Sequence, residues 1–90
     1  MMNRVERAKE YRLTKDLTDE QIRRIFVVWA ESLNLNAAIF PREQSIMLTR
    51  GMLVQSVQLC AALADQLTQT GEPELARLVR KLRRNRQAQN

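Results

Sequence analysis

Four segments of the chain place apolar residues three and four apart, the spacing that lines one face of a helix. The first runs from Asn3 to Leu13, where Val5, Ala8 and Tyr11 share a side and charges of both signs fill the rest. So weak a stripe orders only against another element, and residues 1–17 are read as a mobile N-terminal arm. The second segment has a clear start. Thr18 and Gln21 form a capping-box pattern, Leu17 and Ile22 flank it as a hydrophobic staple, and Asp19 and Glu20 face the positive end of the helix dipole. Ile22, Ile25, Phe26, Trp29 and Leu33 then make one stripe, and Asn34 or Asn36 ends it, which predicts a helix over 19–33.

Residues 34–40 read as a short turn or as one helical turn holding Ile39 and Phe40, and Pro41 suits the first position of a third helix. That helix, about 41–69, carries Ile46, Leu53, Val57, Cys60, Ala64 and Leu67 at the alternating spacing of a coiled-coil seam. Flanking apolar residues widen its arc to about two-thirds of the circumference, well beyond an ordinary surface helix. Two short helices of the same chain cannot enclose such a surface, so those six residues are read as a homodimer interface. Gly51 breaks the run and marks a close crossing, a kink or a late helix start, at about 1 kcal/mol relative to Ala. Arg50 falls on the seam side; it either snorkels to solvent or meets an acid such as Glu31 or Glu43.

Thr70-Gly71 ends the third helix and Pro73 opens the last one, whose stripe is Leu75, Leu78, Val79 and Leu82. So short a connection implies an antiparallel hairpin, with residues 87–90 frayed. The expectation is all-α: one domain over 1–90, a bundle of three to four helices with a long central helix, completed by dimerisation. Composition agrees, since two Gly and two Pro in 90 residues are too few for the turns of an all-β fold. A ribbon-helix-helix arrangement is the rival; it would make Ser45–Thr49 a strand, but one with few polar side chains to read bases.

Charge alters this picture more than composition does. Residues 1–74 carry nine basic and ten acidic side chains, whereas 75–90 carry Arg77, Arg80, Lys81, Arg83, Arg84 and Arg86 with no acid. The whole net charge of +5 therefore sits on the last helix. Such a helix suits the phosphates of DNA or RNA, and these six residues are the candidate nucleic-acid contacts. The same cations also serve a helix C-terminus and solubility, or an acidic or membrane surface.

Catalysis finds little footing. Histidine is absent, Cys60 is the only cysteine, and no Gly-rich phosphate loop is present. Metal sites built on Cys and His, a disulfide within the chain and any cofactor are not expected. No apolar run reaches the roughly 18 residues of a membrane span, and a cytoplasmic location is expected. The function expected is a non-catalytic homodimeric regulatory protein that contacts nucleic acid. The alternative is an adaptor that captures a protein target through Phe26, Trp29 and Phe40, with Trp29 as an anchor rather than core.

Overall fold

Local signals at the start of the second helix are realised atom for atom. In the computed structural model, which describes the backbone of residues 4–89 and the side chains of 7–84, Thr18 Oγ1 accepts the Gln21 amide at 3.1 Å and the Thr18 amide donates to Gln21 Oε1 at 2.9 Å. Five α-helices follow one another among these residues: α1 (Arg4–Leu13), α2 (Asp19–Ser32), α3 (Arg42–Gln55), α4 (Val57–Gln69) and α5 (Pro73–Gln89). A single 3-10 turn, Ala37–Ile39, precedes α3, and no strand occurs among the described residues.

The two predicted terminators act by one mechanism. Asn34 and Gly71 adopt positive φ of 60° and 81°. The amides of Leu35 and Glu72 then reach back to the carbonyls of Ala30 and Leu67, both of which lack a partner within their own helix. Asn36 caps the 3-10 turn through the Ala38 amide.

The long third helix does not exist as one piece. It breaks at Ser56, which is extended at φ −133° and ψ 111°, and the axes on either side differ by 118°. Ser56 closes α3 and its hydroxyl accepts the Leu59 amide to open α4. A serine inside an apolar run reads as easily as a helix interior, so the sequence pattern passes over the joint. The strand of the ribbon-helix-helix rival is also absent, because Ser45–Thr49 lies inside α3.

Breaking the helix removes the reason for a second copy. α3 turns Ile46 and Leu53 inward, and α4 turns Cys60, Leu63, Ala64 and Leu67 toward the same centre. Ile22, Ile25 and Val28 of α2 and Leu75, Ala76, Val79 and Leu82 of α5 close the core. Of the six residues assigned to a dimer interface, Ile46, Leu53, Cys60, Ala64 and Leu67 are thus buried within the single chain, and Val57 is half-buried. Leu53, Cys60, Ala64 and Leu67 keep almost no accessible surface to offer a partner, whereas Ile46 and Val57 keep a little.

α1 joins the bundle by polar contacts. Glu10 is buried against Gly51, where a Cβ would come within 3.2 Å of its carboxylate, and it accepts a hydrogen bond from Gln55 Nε2 at 3.1 Å. Gly51 therefore marks the close crossing of α1 and α3. Arg50 neither snorkels nor meets Glu31 or Glu43. Its guanidinium donates to the Thr14 and Leu17 carbonyls, to Thr14 Oγ1 and to Asp19 Oδ1, with the Tyr11 ring 4.9 Å away.

Candidate functional site

α5 has two faces of opposite chemistry. Leu75, Ala76, Val79 and Leu82 point into the core, whereas Arg77, Arg80, Lys81 and Arg84 are exposed. At 100° per residue these four cations fall within an arc of about 100°, on the side away from the buried residues. From Arg77 to Arg84 the strip is roughly 10 Å long at 1.5 Å per residue. By the same arithmetic Arg83 falls among the core-facing positions, between Val79 and Ala76, half-buried, with its Nε buried and lacking a hydrogen-bond partner among the described residues. The side chain of Arg86 lies outside the described residues.

The segregation of charge in the sequence is partly undone in space. Arg77 grips both carboxylate oxygens of Glu74 one turn back, at 2.5 and 3.2 Å. Arg80 reaches across to α4, where Asp65 Oδ1 accepts at 3.3 Å and Thr68 Oγ1 at 3.2 Å. Hydrogen bonding from Arg77, and then its charge, hold the Glu74 carboxyl below its ordinary range, and the same contacts raise the Arg77 guanidinium. Lys81 and Arg84 carry no ion pair among the described residues. Two cations of the strip are thus held by acids of the chain and two are not. Sequence spacing revealed the strip, but only the packing of α5 on α4 brings Asp65 to it.

The aromatic residues of the adaptor reading do come together. Phe26 is buried, with the Trp29 and Phe40 rings 5.9 and 5.3 Å from it, both half-buried. They line a small second core with Ala30 and Ala37. Beyond them Leu33, Leu35 and Ile39 are exposed, Ile39 at 72%. Arg23 pins this end of the molecule, donating to Ser45 Oγ at 2.7 Å and to the Ala37 carbonyl at 3.0 Å.

One surface escaped the sequence pattern altogether. A groove of about 580 Å³ runs between α1 and α3, lined by Tyr11, Ile46 and Met47 with Arg7, Arg42 and Glu43 around them. Met47 of this lining stays exposed on α3, as does its neighbour Leu48 outside the groove.

No single helix among the described residues is long and apolar enough to cross a membrane. Against protein-family models, curated proteins and solved structures the chain shows no match. Its own residues alone carry the functional reading.

Proposed function

We propose that this protein is a small non-catalytic regulatory module that contacts nucleic acid through the outer strip of α5. The observation that carries the reading is the shared, outward placement of Arg77, Arg80, Lys81 and Arg84 on a helix whose other face is fixed in the core. A rigid row of cations suits a row of phosphates. The strip offers no aromatic ring for base stacking and no Asn or Gln for base edges. Contact is proposed to be chiefly with the sugar–phosphate backbone, where a row of cations matches a row of phosphates. A cytoplasmic location accords with this role.

Fluorescence anisotropy with a labelled duplex tests it. Binding is expected at low salt, with a logarithmic salt dependence that becomes shallower by about 1.8 when Lys81 and Arg84 are both replaced by Gln, at about 0.9 per phosphate contact. No binding at low salt, or a slope indifferent to that replacement, would overturn the reading.

The adaptor reading keeps one observation of its own, the exposed Leu33, Leu35 and Ile39 beside Trp29 and Phe40. It requires that substitution of Leu33 and Ile39 by Ser abolish capture of a specific protein while leaving duplex binding intact. The self-covered core argues against adding homodimerisation to either reading.

A further inference from the structure

We propose that Glu74 and Asp65 act as built-in competitors for the strip, occupying Arg77 and Arg80 in the free protein so that phosphate must displace a carboxylate at each. This rests on the reading of α5 as a nucleic-acid contact. Two features of the pairs support it. Glu74 presents both oxygens to the Nε–Nη2 edge of Arg77, the same edge that a phosphate takes in a two-point contact. Asp65 and Thr68 together engage Arg80 Nη2 from the neighbouring helix, holding its side chain against α4.

Both acids are well exposed, with side-chain exposures of 67% for Glu74 and 72% for Asp65. Solvated pairs of this kind are weak, so they bias the arginines without locking them. A phosphate polyanion, which offers several charges at once, displaces them where a single anion does not. The acids also stay beside the strip after displacement. They lie within the roughly 10 Å over which charge is felt at 0.1 M salt, so the counterion atmosphere of a duplex senses the four cations less two. The masked strip thus binds weakly and with a shallow salt dependence, and neutralising the acids unmasks it.

The test is a set of anisotropy titrations against a DNA duplex and an RNA duplex, each between low and moderate salt. Glu74→Gln and Asp65→Asn are made singly and together, with Glu31→Gln, off the strip, as the charge-matched control. Melting followed by circular dichroism confirms that each variant is folded, and the two single variants test the two pairs separately. Expected are tighter binding, about three- to tenfold for the double variant at low salt, and a slope steeper by about 1.8, while Glu31→Gln changes neither beyond its small effect on net charge. Arg77→Gln should weaken binding less than about twofold in the natural chain and several-fold in the Glu74→Gln background, because only there is Arg77 unencumbered.

Acid variants that bind no more tightly than the natural chain, or an Arg77→Gln loss equal in both backgrounds, would overturn the competitor role and leave the nucleic-acid contact standing. Binding by neither the natural chain nor the double variant would overturn both. Which duplex responds identifies the helical form that the strip accepts.

Discussion

Arg50 is the most consequential single side chain in the interior, because three of its hydrogen bonds join α3 to the chain between α1 and α2 and a fourth joins it to Asp19, the first residue of α2. Which of those bonds matters is decided by burial. The guanidinium side chain is 7% exposed, but its ionic partner Asp19 is 57% exposed and can be rehydrated. The Thr14 contacts are buried and have no such alternative. Replacing Arg50 by Met is therefore expected to cost about 2–4 kcal/mol, chiefly from the lost buried bonds to Thr14 and from the Leu17 carbonyl, since the Thr14 carbonyl keeps the Leu17 amide at 3.0 Å. Asp19→Asn, which keeps the fork in place, should cost less than about 1 kcal/mol. Arg50→Lys should not rescue the loss, since an ammonium cannot span both carbonyls with a planar fork. Urea denaturation of the three variants checks the order; equal losses for Arg50→Met and Asp19→Asn would assign the energy to the ion pair instead. The sequence identified Arg50 as an anomaly on an apolar side, but its partners come from the loop before α2 and from the first residue of α2, 31 to 36 residues earlier, beyond the reach of local pattern.

Helix ends were legible because their chemistry is local. The Thr18–Gln21 box, the Asn34 and Gly71 terminators and the Pro73 start each depend on residues within a turn or two. Docking of α1 was not legible, since it rests on the polar residues Glu10, Gln55 and Arg50 rather than on an apolar stripe. Gly51 links the two kinds of information. Its replacement by Ala should gain about 1 kcal/mol of helix propensity, yet the new methyl would stand 3.2 Å from the buried Glu10 carboxylate, which must shift by a few tenths of an ångström and strain its bond from Gln55. In the natural chain the net change is therefore expected to be near zero or destabilising, with faster amide exchange confined to α1. In a Glu10→Ala background the same change should stabilise by about 1 kcal/mol. Equal effects in the two backgrounds would mean that the crossing does not depend on glycine. The Glu74 pair acts at the start of α5 and has its own pH sense. Its carboxyl is lowered in the folded chain, so its contribution is present above the unfolded carboxylate range and is lost as acidification passes through the lowered value.

For the molecule as a whole, the joint at Ser56 decides how many copies are needed. A straight helix over 41–69 would spread its apolar arc around most of its circumference, and a second chain would have to cover it. The 118° turn splits that arc into two narrower stripes that converge on one core, and the Cys60 thiol bridges the joint by donating to the Leu53 carbonyl at 2.9 Å. The resulting surface is nearly that of a self-sufficient monomer. Its 5996 Å² stands about a tenth above the roughly 5400 Å² that mass scaling gives for a chain of 10.5 kDa, and the radius of gyration of 12.5 Å is close to the expected value of about 12 Å. Light scattering should thus return about 10.5 kDa, independent of concentration through the micromolar range. Ser56→Ala probes the joint directly. It removes the cap on the Leu59 amide and is expected to cost about 1 kcal/mol, while core packing keeps the bend and the monomer. If this variant instead gained helical signal and doubled its mass, the cap rather than the core would be holding α3 and α4 apart. A natural chain already at twice 10.5 kDa would mean that one of the exposed apolar surfaces, Met47 and Leu48 of α3 or Leu33, Leu35 and Ile39, meets a second copy after all.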